Sequence, residues 1–139
     1  MTKKFLTLVM LSTTLALITG CVDTIDGKDR FGMPFVKDTT VGRYERPGTQ
    51  VWTAAKEVMN FNGKLVREDV LQKVLEATVG NCTVWMRVDD ADAKITRLVV
   101  QVRTKGGGTD NALAAELDKQ VAVRLAGGTF PTAPVPPTR

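Results

Sequence analysis

The sequence predicts a two-layer α+β fold in which two helices pack on one face of an antiparallel sheet of about four to five strands. Three observations support it: two adjoining segments alternate between apolar and polar residues, an amphipathic helical pattern stands on each side of the strands, and turn residues separate the elements. The expected order is β-α-β-β-β-β-α, within a single domain over residues 35–128. Because each alternating strand has one polar side, we expect helices to cover one face of the sheet and solvent the other.

The first strand and the first helix are predicted between residues 35 and 63. Phe35–Tyr44 combines Val and Thr residues typical of a strand, and Arg46-Pro47-Gly48 ends it. Apolar side chains then recur at helical spacing, at Val51, Trp52, Ala54, Ala55, Val58 and Met59. Thr49 is the expected N-cap, and Gly63 is the expected left-handed stop. Trp52 is a candidate for stacking on a ligand by its type, but its apolar neighbours favour a place in the core.

Residues 64–79 fit two interpretations. Valines and leucines recur there at helical spacing, and the Glu, Gln and Lys residues among them favour a helix. The alternation of Leu75, Ala77 and Val79 favours strands instead, and Gly80-Asn81 is a two-residue hairpin signal. We prefer strands at Leu65–Asp69 and Lys73–Val79, and the helix remains the alternative.

Two strands with a period of two follow, at Cys82–Asp89 and Ile95–Thr104, joined by a polar turn. The outward side of these strands, expected in solvent, carries an aromatic ring and three arginines: Trp85, Arg87, Arg97 and Arg103. Guanidinium groups stack on aromatic rings, so these four residues form the candidate interaction surface. The alternative is a solvated sheet face that uses long side chains as cover.

The last helix is predicted after the loop Gly106–Gly108, with Thr109 or Asp110 as its N-cap. Gly127-Gly128 ends it, and its buried stripe consists of Leu113, Leu117, Val121 and Leu125. Residues 129–139 are rich in proline, which predicts an extended, polyproline-like tail without a core of its own.

Residues 1–20 have the pattern of a lipoprotein leader. Lys3 and Lys4 precede an apolar run, as in a secretory signal peptide. Ile18, Thr19, Gly20 and Cys21 then resemble the bacterial lipobox. The resemblance implies that residues 1–20 are removed, that Cys21 receives a diacylglycerol, and that the protein is lipid-anchored facing the periplasm. One alternative is an ordinary signal peptide, after which the cysteine stays free. A transmembrane anchor is the other, but the apolar run is shorter than the roughly 20 residues that a span needs.

Two further expectations concern the segment after Cys21. Val22 stands where an Asp would resemble the inner-membrane retention signal of lipoproteins, so the outer membrane is favoured over the inner one. Residues 21–34 are rich in Asp and Gly and have no apolar period, which predicts a flexible tether between the lipidated cysteine and the domain.

Composition argues against several kinds of site. The chain has 19 basic and 15 acidic residues and no histidine, so the commonest general base and metal ligand is missing. The charges are interspersed, which argues against a nucleic-acid surface. With Cys21 acylated, Cys82 has no disulfide partner. We therefore expect no cofactor, no metal and no enzymatic activity.

Two segments resemble ligand loops only superficially. The triple-glycine loop lacks the Lys-Ser/Thr of a P-loop, and Asp110 places a carboxylate where an anion would bind. Asp89, Asp90 and Asp92 are acidic, but the glycine and the distal glutamate of a calcium loop are missing at the required spacing. Both segments are better explained as turns.

A family resemblance rests on Tyr44, on Val51-Trp52-x-Ala54-Ala55, and on the strand entry Asn81-Cys82-Thr83-Val84. With the polar cap before the last helix, these residues resemble an uncharacterised family of small bacterial lipoproteins, a domain of unknown function, over residues 44–125. The resemblance implies a lipid-anchored periplasmic α+β domain without catalytic residues. The chain departs from that family where a triple-glycine loop replaces an Arg-Val-Gly segment.

The function expected from these observations is a non-enzymatic interaction or structural module of the cell envelope, with another envelope protein as its partner. The alternative is a binder of a small hydrophobic ligand or lipid, which would use a cleft between the terminal helix and the sheet.

Overall fold

A computed structural model describes residues 20–32, 37–92 and 94–128 of the chain, with side chains described from residue 23 and not at 29–32. The fold is α+β: one open sheet of five antiparallel strands and two helices, in the predicted order, preceded by a two-stranded hairpin. The strands are β1 Gly20–Asp23, β2 Asp29–Gly32, β3 Thr39–Tyr44, β4 Lys64–Asp69, β5 Val74–Val79, β6 Cys82–Asp92 and β7 Ile95–Thr104. The helices are α1 Gly48–Asn62 and α2 Asn111–Leu125.

The sheet has the strand order β3-β7-β6-β5-β4, so β3 and β4 are its edges. Residues 64–79 form strands β4 and β5, which confirms the strand interpretation. Gly80 takes a positive φ of 57° in the turn to β6, as the hairpin signal predicts. The edge strand β4 is interrupted by a bulge at Val66, and it carries charged residues at Lys64 and at Arg67, Glu68 and Asp69.

Both helices pack on the same face of the sheet, here called the inner face. Side chains from α1, from α2 and from alternate positions of the central strands share one core, in which most members are less than 2 % exposed. The predicted stripe of α2 is confirmed at Leu113, Leu117 and Val121, while Leu125 is partly buried. Burying this much apolar surface is the main stabilisation of the two layers.

The two helix starts differ from each other. The carboxylate of Asp110 accepts a hydrogen bond from the Leu113 amide at 2.9 Å, so the predicted cap of α2 is confirmed. The prediction of Thr49 as the cap of α1 is wrong, because the helix already begins at Gly48, directly after Pro47, and has no side-chain cap. Pro47 fixes its own backbone, which lets the helix start two residues earlier than the hydroxyl pattern suggests.

Gly63 ends α1 as predicted but for a different reason. Its backbone is extended, with a φ of −169°, instead of left-handed. A Cβ at this position would collide with the carbonyl oxygen of Thr78 on β5, so the helix can turn directly into β4 only with glycine. The turn predicted after Asp89 is also shorter than expected, because β6 continues to Asp92 through an irregularity at residues 90–92.

The hairpin of β1 and β2 lies where the sequence predicts a flexible tether. Its strands pair in antiparallel register, with Cys21 opposite Phe31 and Asp23 opposite Asp29. Gly27 has a φ of 72° in the connecting turn, and its amide donates to the Thr24 carbonyl at 2.9 Å. The Asp and Gly residues that are typical of linkers are thus used here as the turn residues of a hairpin.

Candidate functional site

The outer face of the sheet, opposite the helices, is where the sequence places an interaction surface in solvent. The prediction of a solvated face is wrong for the middle of the sheet. Trp85 is 1 % exposed, Arg103 4 % and the intervening Gln101 1 %. Apolar residues also lie in this layer, since Val74 and Val99 are buried on strands β5 and β7. Something other than water must therefore cover the centre of this face.

The turn of the N-terminal hairpin is part of that cover. The amide of Ile25 donates to the Gln101 side chain at 3.0 Å. The carboxylate of Asp26, whose side chain is fully buried, pairs with Arg67 of β4 at 3.1 Å, and the Thr24 hydroxyl lies against the same carboxylate. We call these contacts of Thr24, Ile25 and Asp26 with Arg67 and Gln101 the latch. They connect the hairpin to both an edge strand and a central strand of the sheet.

Asp38, just before β3, continues the cover on the other side of Gln101. Its carboxylate accepts a hydrogen bond from the Gln101 amide at 2.6 Å and pairs with Arg103. Arg103 also donates to the Gly107 carbonyl at 3.3 Å. The Arg103 guanidinium therefore holds the glycine loop and the strand entry in place, and it is too buried to meet a partner.

Arg87 and Arg97 are the two predicted surface residues that the structure brings together. Both donate to the carboxylate of Asp89, from Nε of Arg87 at 3.0 Å and from Nη2 of Arg97 at 2.9 Å. Burial alone would raise the pKa of Asp89, but the hydrogen bonds from the two arginines outweigh it, and the pKa is lowered. The carboxylate is therefore ionised at neutral pH and offsets one of the two positive charges.

The predicted surface of four residues thus divides into two pairs. Trp85 and Arg103 are buried in the layer beneath the latch, and Arg87 and Arg97 lie partly exposed around Asp89. Of the predicted interaction surface, only Arg87 and Arg97, which form a cluster with Asp89, are exposed enough to contact a partner.

A second candidate site is a groove at the start of α1, with a volume of about 500 Å³. We call it the Trp52 groove. Its walls are Pro47, Gly48, Thr49, Trp52, Thr53, Val70, Lys73 and Asp90. Trp52 packs its inner side against the core, as the sequence predicts, and its remaining surface lines the groove. An indole beside an exposed aliphatic side chain is the kind of surface that dominates protein interfaces.

Beside this groove, the turn between β4 and β5 carries two exposed apolar residues. Val70 is 68 % exposed and Leu71 96 %. We call Val70–Leu71 the apolar tip. The sequence does not single out this pair as a functional candidate, because both residues also fit the spacing of the alternative helix over residues 64–79. The signal that could have identified it is an apolar pair directly after Asp69, a residue typical of turns.

Charged residues surround the other end of the groove. Asp90 pairs with Lys73 and lies directly against Gly48, where a Cβ would come within 2.5 Å of its Oδ1 atom. A carboxylate at this position offsets the positive end of the α1 dipole and leaves no room for a bound anion. Among the residues that the structure describes, no cluster of three or more acidic or cysteine side chains is arranged to hold a metal ion.

The cleft proposed for a hydrophobic ligand, between the terminal helix and the sheet, is filled by side chains in the described part of the chain. Leu113, Leu117 and Val121 of α2 are at most 1 % exposed and belong to the common core. The helix is also fixed to β3, because the Tyr44 hydroxyl donates to the Asp118 carboxylate at 2.6 Å. Space for a ligand is found at the Trp52 groove instead.

Two ionisable side chains of the fold favour their protonated forms. Burial, followed by the negative charge of Asp110, raises the pKa of the Cys82 thiol, so the thiolate is disfavoured. Burial also raises the pKa of Tyr44, with further contributions from the hydrogen bond and charge of Asp118.

Comparison with protein-family models gives no match for this chain, and comparison with curated proteins gives none either. Across residues 20–32, 37–92 and 94–128, no helix is long and apolar enough to cross a membrane. The lipobox residues Ile18 and Thr19 lie outside the described residues, as does the proline-rich segment 129–139, while Gly20 and Cys21 open strand β1.

Proposed function

We propose that this protein is a bacterial lipoprotein anchored through Cys21, and that its α+β domain is a non-enzymatic interaction module of the cell envelope. The observation that carries the proposal is the segment Ile18-Thr19-Gly20-Cys21 directly after a basic start and an apolar run. The absence of an internal anchoring helix from the described residues is compatible with attachment through lipid. Val22 after the cysteine favours the outer membrane as the site of anchoring.

The hairpin is compatible with processing at this position. Cleavage before Cys21 would remove only Gly20 from β1, and the pairs from Cys21 opposite Phe31 to Asp23 opposite Asp29 would remain. The new N-terminal cysteine would then be the first residue of a strand. Two or three acyl chains on one residue hold a protein stably on a membrane, whereas one chain does so only reversibly.

The Trp52 groove is the surface that we assign to an envelope protein partner. It combines a partly exposed indole with Val70, and Lys73 and Asp90 supply polar contacts at its rim. Interfaces are organised around such aromatic anchors, with a polar rim that excludes water. The Arg87–Asp89–Arg97 cluster is a less favoured alternative, because its arginines already share one carboxylate.

Cross-linking in intact cells, followed by purification through a C-terminal tag, tests this proposal. The expected result is a defined envelope partner that is lost with Cys21→Ser, which should leave the protein unanchored. Thr53→Arg, at an exposed position in the Trp52 groove, should remove the partner without releasing the protein from the membrane. Gln50→Arg adds the same charge on the same helix outside this groove and is the matched control. If Cys21→Ser stays on the membrane, the lipid anchor is contradicted. If no partner is recovered with the wild type, the interaction module is contradicted.

The second candidate function is binding of a small hydrophobic ligand in the Trp52 groove. Its volume of about 500 Å³ falls within the usual range for small-molecule sites, and Trp52 and Val70 provide apolar walls. A ligand at free concentration L that binds the folded state stabilises it by RT ln(1 + L/Kd), so the melting temperature rises with the logarithm of its concentration above Kd. Thermal shift screening with lipids and hydrophobic small molecules separates the two functions, since a protein-docking groove would show no concentration-dependent shift.

A further inference from the structure

The apolar tip is held in a fixed conformation although it is almost fully exposed. The Asp69 carboxylate accepts hydrogen bonds from the amides of Leu71 at 3.1 Å and Gln72 at 2.9 Å. Lys73 then takes a left-handed backbone with a φ of 52°, which closes the turn. Because the turn is already ordered, binding through it does not incur the entropy cost of fixing its backbone. Leu71 is thus displayed outward by the fold itself.

The tip stands beside the strand that carries the proposed lipid anchor. Gln72, next to Leu71, lines a cavity of about 460 Å³ together with Asp23, Ile25 and Gly27 of the hairpin. Asp23 is the last residue of β1 and follows Cys21 by two positions, which corresponds to about 7 Å of strand. The anchor and the tip therefore belong to the same end of the molecule.

The latch determines how far the anchor can move from that end. Residues from Cys21 to Ile25 extend over at most about 14 Å, whereas a free tether through residue 34 would reach about 45 Å. The buried Asp26 and its pair with Arg67 hold the turn against the sheet. A membrane in which Cys21 is embedded would consequently lie close to the apolar tip.

The charges near the tip indicate an apolar occupant. On the outer face at this end, the positive residues are Arg43, Arg87 and Arg97, and the negative residues are Asp23, Asp69 and Asp89. These charges balance, so a polyanionic partner would gain little from electrostatic attraction. An exposed leucine on a neutral background instead suits the interfacial region of a bilayer.

We propose that Val70–Leu71 is a second membrane contact of the anchored protein, which inserts into the bilayer interface beside the acylated Cys21. This inference rests on the proposed lipid anchor. The latch and the tip together give the domain one orientation, with the β4–β5 turn toward the membrane and the opposite end of the sheet, where β7 ends at Thr104, away from it. The Trp52 groove, on the inner side of the same turn, then faces a partner that approaches along the membrane surface.

Depth-dependent fluorescence quenching on vesicles tests the inference with the full, lipidated chain. Cys82 is only 2 % exposed, and Cys21 is expected to be acylated, so a cysteine introduced at Leu71 is the reactive thiol for an environment-sensitive dye. Ala112→Cys is the matched control, because Ala112 is exposed in the first turn of α2, beside the end of β7 that lies opposite the β4–β5 turn. The vesicles contain neutral phospholipid with a fraction of lipids that carry a quencher near the headgroup.

The expected result is that the protein floats with the vesicles and that the dye at position 71 is quenched at least about twofold more than the dye at position 112. The difference should persist in high salt, since the contact is apolar. It should shrink when Asp26→Ala is added, because the opened latch frees the anchor. Persistence of the full difference in that variant would overturn the role of the latch.

The failures of the anchor and of the tip give different results. If the protein does not float, the lipid anchor is refuted, and the inference falls with it. If it floats but both dyes are quenched equally, or neither is quenched, the anchor stands and the membrane contact of the tip is refuted. If position 71 is shielded only in cells and cross-links there to a protein, the tip is a protein-docking surface instead.

Discussion

The latch makes a quantitative prediction about the variant Asp26→Ala. The side chain of Asp26 is fully buried, and its carboxylate pairs with Arg67 at 3.1 Å. Hydrogen bonds to charged groups contribute about 1.5–3 kcal/mol. The lower end applies here, because Arg67 is one-third exposed and keeps a second pair with Glu76 at 3.3 Å. A loss of about 1.5 kcal/mol corresponds to a roughly tenfold larger population of the undocked hairpin.

Amide hydrogen exchange measures this population directly. The Ile25 amide is protected by its bond to Gln101 only while the hairpin is docked, so its exchange should accelerate about tenfold in Asp26→Ala. Tryptic cleavage after the exposed Lys28 should accelerate in parallel, if opening is fast relative to cleavage. Exchange in α2 should stay unchanged, because the core between the helices and the sheet does not include the hairpin.

Asp23→Ala is the matched control, since Asp23 lies in the same hairpin and is exposed. It should leave the exchange rate of Ile25 within a factor of about two, as most exposed substitutions change stability by less than about 0.5 kcal/mol. Equal rates in Asp26→Ala, Asp23→Ala and the wild type would refute the latch. Acceleration of exchange throughout the sheet would also refute it, because the hairpin would then unfold only with the whole domain.

Three further predictions concern the core and its polar contacts. Tyr44→Phe should cost about 0.5–1.5 kcal/mol by removing the hydrogen bond to Asp118. Because the folded state raises the pKa of Tyr44, the contribution of this hydroxyl to wild-type stability is fully present below about pH 10 and is lost above it. The variant should lack this alkaline loss, and identical alkaline denaturation curves of the two proteins would contradict the role of the Tyr44 hydroxyl. Leu117→Ala, at a position with no exposure, should cost about 2–5 kcal/mol in urea unfolding, and a loss below about 1 kcal/mol would mean that α2 is loosely packed. In a Cys21→Ser background, Cys82 should react with a thiol reagent only after unfolding, since burial and then Asp110 raise its pKa; rapid labelling of the native protein would show the strand end to be open.

The fold was accessible from the sequence because local patterns and tertiary burial agree in most of the chain. Strand β7 has the predicted bounds, and the stripe of Leu113, Leu117 and Val121 marks the buried side of α2. Residues 64–79 were ambiguous because Val66 and Val70, which suggest a helix by their spacing, are exposed on an edge strand and a turn. Their periodicity does not arise from a common buried face.

The candidate site was only partly accessible, because alternation tells which residues share a face and not what covers that face. The cover of this face comes from contacts between residues that are distant in sequence, such as that of Ile25 with Gln101. A signal did exist: Val74, Trp85 and Val99 place three large apolar side chains on the supposedly solvated side. The arginines beside these three residues dominate the sequence pattern and make that side look polar.

The unequal burial of the two tryptophans gives the protein a pair of built-in optical probes. Trp85 is sealed inside the layered sheet, and Trp52 keeps part of its ring on an open surface. A shift of Trp85 emission therefore reports that the outer face of the sheet has become exposed to water, while aqueous quenching of Trp52 reports whether its neighbourhood is occupied. With only these two indoles in the chain, a single Trp→Phe change separates the two signals and lets both events be followed in membranes without a foreign label.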